Sequence, residues 1–207
     1  MTHVKVCGIT RVEDALAALQ AGADALGLNF YQRSPRCVSQ AEAKAIVEAV
    51  EGRALMVGVF VDEDPAEIAR LKDLVGFQCV QFHGDEDPKM VERFLPHAYK
   101  AIRVRGSGVV ELVQRYPGEH ILLDAYVPGQ EGGTGATFDW KFAQQVASLR
   151  KTTLAGGLTP DNVRNAIRMV RPFCVDVASG VESAPGLKDP ALMDRFVQQV
   201  RGALDVP

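Results

Sequence analysis

The feature that most limits what this chain can fold into is a strict alternation of two hydrophobic periods. Short apolar or alternating runs, the pattern of strands buried in a sheet, are separated throughout by longer stretches with apolar residues every three to four positions, the pattern of amphipathic helices. The pattern predicts strands at His3–Cys7, Ala25–Asn29, Leu55–Phe60, Cys79–Phe82, Tyr99–Arg103, His120–Asp124, Thr152–Ala155 and Cys174–Ala178. It predicts helices near Val12–Gln20, Gln40–Val50, Pro65–Leu74, Pro88–Leu95, Val109–Arg115, Trp140–Ser148, Pro160–Met169 and Pro190–Val200. Asp64-Pro65, Asp87-Pro88, Thr159-Pro160 and Asp189-Pro190 each set a capping residue before a proline at the first helical position. Short returns through Gly22 and Gly76 lay each helix antiparallel to its next strand, so the strands run parallel. Eight such units with right-handed crossovers exceed the five or six of a doubly wound sheet and close into a ring. The reading is α/β: one compact (β/α)8 barrel of the TIM type with a closed parallel sheet, spanning residues 1–207 as a single domain.

Composition narrows what such a barrel can serve. The chain has 207 residues, 47% hydrophobic and 24% charged, with 23 Lys plus Arg against 26 Asp plus Glu. A net charge of -3 gives no electrostatic footprint for nucleic acid or an anionic membrane, so the expected partner is a small molecule. The longest apolar run, Ala54–Val61, is far short of the ~20 residues that cross a bilayer. The opening MTHVKVCGIT has no basic segment followed by a long apolar one, and the expectation is a cytoplasmic protein, monomer or homodimer. Cys7, Cys37, Cys79 and Cys174 are too widely spaced for a zinc or redox motif, which suits reduced thiols.

In this architecture function belongs to the C-terminal ends of the strands. If Val4 and Val6 face the helices, then His3, Lys5 and Cys7 face the barrel interior, with Cys7 at its rim. Asp124 ends the sixth strand on the parity of Leu122, and Asp176 lies inward in the eighth. Cys37, Cys79 and Cys174 suit the role of small buried hydrophobes. Lys5 either lowers the pKa of the thiol beside it or simply pairs with an acid. Gly156-Gly157 after strand seven and Ser179-Gly180 after strand eight expose backbone amides where barrels of this kind hold phosphate. A third run, Gly132–Gly135, reads either as a mobile loop over the site or as a plain linker.

These residues carry a family resemblance. Lys5-Val6-Cys7-Gly8-Ile9-Thr10, Asn29-Phe30 with Ser34-Pro35-Arg36, Gln81-Phe82-His83-Gly84, Leu122-Leu123-Asp124, Gly132-Gly133-Thr134-Gly135, Leu154-Ala155-Gly156-Gly157-Leu158 and Asp176-Val177-Ala178-Ser179-Gly180-Val181-Glu182 resemble phosphoribosylanthranilate isomerase in order across nearly the whole chain. Ala136, where lysine is common, and Ala178, where serine is common, depart from the pattern. The resemblance implies an Amadori rearrangement in tryptophan biosynthesis that needs neither metal nor organic cofactor. It implies Cys7 as general base, Asp124 as general acid and Arg36 as partner of a substrate carboxylate. Gly156, Gly157, Ser179 and Gly180 would hold phosphate, with Lys5, Asp176 and His83 in support; His83 lines the aromatic pocket or serves as a cap or core residue. The same architecture also carries indole-glycerol-phosphate synthases, sugar-phosphate epimerases and silent phosphate-binding barrels, and the last would have no reason to keep both Cys7 and Asp124.

Overall fold

The computed structural model describes residues 1–104, 108–124 and 137–203. Eight parallel strands close in sequential order: β1 (His3–Cys7), β2 (Ala25–Asn29), β3 (Leu55–Phe60), β4 (Cys79–Phe82), β5 (Ala98–Arg103), β6 (His120–Asp124), β7 (Lys151–Ala155) and β8 (Cys174–Val177). The helices that follow are α1 (Val12–Ala21), α2 (Gln40–Val50), α3 (Pro65–Val75), α4 (Pro88–Glu92), α5 (Val109–Gln114), α6 (Thr137–Leu149), α7 (Val163–Val170) and α8 (Pro190–Arg201). The ring closes where β8 pairs with β1, in a register that sets Lys5 opposite Asp176.

Two apolar layers hold this arrangement. The larger lies between strands and helices and includes Val4, Val6, Leu26, Leu28, Ile121, Leu123, Val175 and Val177, the strand residues of outward parity. The smaller fills the barrel itself with Val57, Tyr99, Ala101, Leu122 and Ala155, with Cys79 against it. The inward parity that the alternation assigns to Lys5 and Asp176 is the observed one, and both are buried.

Three of the four aspartate-or-threonine-plus-proline starts are true caps. Asp64, Asp87 and Asp189 each accept hydrogen bonds from first-turn amides and leave proline at the start of the helix, where its missing N–H costs nothing. The fourth expectation is corrected, since α7 begins at Val163 rather than Pro160. The Asn162 side chain accepts from the Thr159 amide at 2.8 Å and donates to the Gly157 carbonyl at 2.8 Å, folding residues 157–162 into a turn that competes with helix. Helix α4 is also shorter than expected, ending before Leu95-Pro96, where proline excludes helical continuation. After β8 a single 3-10 turn (Ser179–Val181) leads into an antiparallel hairpin of β9 (Glu182–Ala184) and β10 (Leu187–Lys188). The sequence reading had not assigned this hairpin, although Pro185-Gly186 at its tip is a turn signal.

The Asp189 cap joins that hairpin to α8, whose Met193, Phe196, Val197 and Val200 are buried. Asp189→Ala is expected to lower stability by about 1 kcal/mol. Urea unfolding should show a lower midpoint at unchanged slope. A loss under about 0.3 kcal/mol would mean the cap is redundant with the packing of Phe196.

Candidate active site

At the C-terminal ends of the strands lies a cleft of about 330 Å³ lined by Cys7, Arg36, Gln81, His83, Asp124, Gly156, Gly157, Asp176 and Ser179, among others. Of the residues singled out in the sequence, these eight meet in one space: Cys7, Arg36, His83, Asp124, Gly156, Gly157, Asp176 and Ser179. Lys5 lies beneath the cleft, buried, and Gly180 packs behind Ser179. The run at Gly132–Gly135, with Ala136, lies outside the described residues. Among the described residues no group of three or more His, Cys, Asp or Glu is placed to hold a metal ion, and no helix is long and apolar enough to cross a membrane.

Cys7 ends β1 opposite Gly27 of β2. A Cβ at position 27 would come within 2.6 Å of the Cys7 sulfur, so the thiol has room at the rim only because its neighbour has no side chain. Beneath it Lys5 donates to Asp176 Oδ2 at 2.8 Å and to Gln81 Oε1 at 3.0 Å. Burial works against the ammonium, but Asp176, with smaller contributions from Cys7 and Tyr99, holds the Lys5 pKa well above the usual lysine value. Both alternatives for Lys5 are therefore realised, because it pairs with an acid and also draws the thiol downward. The second effect loses: burial raises the Cys7 pKa despite Lys5 and, more weakly, Lys188. Burial thus outweighs Lys5 at Cys7, so the help Lys5 gives toward a thiolate does not by itself bring the pKa below the ordinary thiol value. Burial pushes the thiols of Cys79 and Cys174 up to about 11 and about 12, as suits cysteines with a packing role.

Across the cleft, Asp124 ends β6, and its Oδ2 lies 3.7 Å from Nε2 of His83. His83 follows β4, its amide donating to the Phe60 carbonyl at 2.8 Å and its Nδ1 lying 2.9 Å from Nε2 of Gln81. The loop that carries it is pinned from below. Lys100 donates to the carbonyls of Gly84 and Ala101 and pairs with the buried Glu86, which in turn accepts from the Gly84 and Asp62 amides. His83 is thus a cleft residue, not a core one.

Arg36 is held more firmly than a loop arginine. Its Nε and Nη2 both donate to Glu182 of β9 at 2.7 Å, a bidentate pair. Burial disfavours the Glu182 carboxylate, yet hydrogen bonds from Arg36 and Lys188 outweigh it and keep its pKa below the ordinary range. Lys188 of β10, fully buried at its side chain, donates to Glu182 at 2.7 Å and to the Ala178 carbonyl at 3.1 Å. Ser34 accepts from the Arg36 amide and from Asn29 at the end of β2, which fixes the loop. Glu182, Lys188, Gln81 and Tyr99 had been given no role in the sequence reading. The ion pair joins positions 146 residues apart, and no local pattern signals it.

The two glycine-bearing loops interlock. A Cβ on Gly180 would lie 1.9 Å from the Leu158 carbonyl oxygen, so only glycine lets the loop after β8 rest on the loop after β7. The contact brings the two loops together at one end of the cleft, which Gly156, Gly157 and Ser179 line. The assembled site offers a thiol and a carboxyl on opposite walls, an oriented guanidinium and two interlocked glycine-bearing loops.

Comparison with known proteins agrees with this geometry. The family model described as N-(5'phosphoribosyl)anthranilate (PRA) isomerase matches residues 4–199. The chain is 46% identical over 205 residues to N-(5'-phosphoribosyl)anthranilate isomerase of Rubrobacter xylanophilus, covering 97% of this chain and 100% of that one. It is similar to the crystal structure of phosphoribosyl anthranilate isomerase from Thermotoga maritima, with a TM-score of 0.88 at 39% identity over 98% of this chain and 100% of that one. A second such isomerase, solved in complex with reduced 1-(o-carboxyphenylamino)-1-deoxyribulose 5-phosphate, has a TM-score of 0.86 at 36% identity, covering 98% and 100%. The chain belongs to the N-(5'-phosphoribosyl)anthranilate isomerase family.

Proposed function

We propose that Cys7 and Asp124 are the base and the acid with which this member of the isomerase family converts N-(5'-phosphoribosyl)anthranilate into 1-(2-carboxyphenylamino)-1-deoxyribulose 5-phosphate, a step of tryptophan biosynthesis. The observation that carries the reading is the single cleft into which a thiol, a carboxyl, an arginine and two glycine loops converge. Asp124 gives a proton to the ribose ring oxygen, and the bond from that oxygen to C1 breaks as the anthranilate nitrogen supplies its lone pair. The open form is a cationic imine. A positive charge beside a thiol favours its ionised form, which offsets the burial that raises the Cys7 pKa. The thiolate removes the C2 proton, and the electron pair moves toward nitrogen to leave an enolamine. Protonation at C1 with loss of the C2 hydroxyl proton gives the ketone, so that atoms and electrons balance without an outside oxidant.

The two ends of the substrate are held by opposite devices. Gly156, Gly157, Ser179 and Gly180 receive the phosphate through backbone amides. Arg36 faces the anthranilate carboxylate with the donors that Glu182 leaves over, since a bidentate pair through Nε and Nη2 uses only part of the fork. Asp176, with one oxygen on Lys5 and the other buried without a hydrogen-bond partner, supports the sugar between them. All four cysteines are free, which supports a reducing, cytoplasmic compartment.

The decisive assay is the fall in substrate fluorescence as the aminoaldose, generated in situ, is consumed. Cys7→Ser should lose about 10²-fold or more in turnover with KM little changed, since a hydroxyl is too weakly acidic to serve as the base. A variant retaining more than about a tenth of normal turnover would remove Cys7 from the reaction. Asp124→Asn keeps shape and a donor but cannot release a proton, and its turnover should collapse while product still binds. Proportional loss of product binding and activity would instead make Asp124 a scaffold residue.

Arg36→Ala should weaken binding of the carboxylated product by about 1.5 to 3 kcal/mol, the usual worth of a charge-assisted hydrogen bond. Binding of a ribulose phosphate that lacks the aromatic ring should hardly change. Titration calorimetry with both ligands separates the cases, and an equal loss for both would assign Arg36 to phosphate or to the hairpin.

A further inference from the structure

Between the walls of the cleft a line of hydrogen bonds runs from Lys5 and Tyr99 through Gln81 to His83, ending where His83 faces Asp124, and the proposed steps leave it unused. Lys5 Nζ donates to Gln81 Oε1 at 3.0 Å, and the Tyr99 hydroxyl donates to the same oxygen at 2.9 Å. Gln81 Nε2 lies 2.9 Å from His83 Nδ1, and His83 Nε2 lies 3.7 Å from Asp124 Oδ2. Gln81 is buried, and so are Lys5 and Tyr99 on its oxygen side.

The direction of these bonds follows from donor chemistry alone. An ammonium has protons and no lone pair, so the amide atom facing Lys5 must be the oxygen. The amide nitrogen then faces His83, and an amide nitrogen only donates, which makes Nδ1 the acceptor. A neutral imidazole with a bare Nδ1 carries its proton on Nε2, the nitrogen turned toward Asp124. The opposite tautomer would set two donors against each other at Gln81 and a bare nitrogen against the carboxyl.

We infer that Gln81 is a positioning residue for the acid: by holding His83 in the Nε2–H tautomer, it keeps the histidine a donor to Asp124 and leaves the acid proton to the oxygen that faces substrate. A bare Nε2 would instead accept that proton and draw it away from the ring oxygen. As Asp124 becomes a carboxylate, the Nε2–H bond turns charge-assisted and strengthens at the moment of transfer. At 3.7 Å His83 Nε2 and Asp124 Oδ2 stand beyond hydrogen-bond distance, and the contact shortens to a hydrogen bond when substrate binds, as catalytic hydrogen bonds do. The inference rests on the reading of Asp124 as the acid.

The test reads the tautomer and the rate separately. In protein labelled with ¹⁵N on histidine, at about pH 8, above the usual histidine pKa, the four histidines are few enough for His83→Ala to assign the signal by its loss. The wild-type ring should carry its proton on Nε2; a proton on Nδ1 overturns the inference without any further variant. Gln81→Glu keeps an oxygen for Lys5 and Tyr99 but offers Nδ1 an acceptor, so the proton should move to Nδ1 and turnover fall tenfold or more with KM little changed. In a His83→Ala background the same substitution should cost less than about twofold, because the two residues act as one unit. An equal cost with and without His83 would mean that Gln81 works through Lys5 and the thiol, and the inference fails. If the tautomer is as inferred but Asp124→Asn stays active, the acid assignment has failed, and the role given to Gln81 falls with it.

Discussion

The interaction on which the rest of the site depends is the buried pair of Lys5 and Asp176, 2.8 Å apart with side chains 3% and 7% exposed. Taking two charges out of water costs several kcal/mol per ion, and the pair offsets part of that cost through its own hydrogen bond and the second one that Lys5 makes to Gln81. Lys5 serves Gln81 with a second proton and lowers the Cys7 thiol against the pull of burial. Removing either partner would leave the other as an uncompensated buried charge, typically a loss of about 3–5 kcal/mol. The polar floor is therefore a structural commitment of the barrel before it is part of any reaction.

Above that floor the site separates two tasks by material. Charge is handled by side chains that other side chains hold rigid: Arg36 by Glu182, Glu182 by Lys188, His83 by Gln81. The proposed phosphate end is built of backbone, where Gly180 and the Leu158 carbonyl are too close for any side chain to intervene. Preorganisation of both kinds lowers the cost of orienting a flexible sugar phosphate at the moment of reaction. Cys7 is held differently. Its pKa is raised by burial, and in the proposed reaction the cationic imine of the substrate brings the compensating charge.

How much of this was legible in the sequence follows from the range of the forces concerned. Strand boundaries such as those of β1, β2, β3, β4 and β6 come from apolar periodicity, a local signal, and the inward parity of Lys5, Cys7, Asp124 and Asp176 follows from it. The start of α7 was misread because a side chain, Asn162, bonds the backbone that Pro160 would otherwise have made helical. The direction of the Cys7 shift has no local signal, because desolvation is a property of the closed barrel and Lys5 a property of the neighbouring sequence. Gln81 stood in view within a family motif, yet its orientation depends on donors from β1 and β5 that no window around position 81 contains.

The hairpin of β9 and β10 carries a last consequence. Arg36 comes from the first fifth of the chain and Glu182 from its last, and their pair ties the loop after β2 to the hairpin after β8. A nascent or partly unfolded chain can bury much of its apolar surface and still have an arginine that points nowhere. The aim of Arg36 thus depends on a contact between distant parts of the chain, and without the hairpin its guanidinium would lose the carboxylate that orients it.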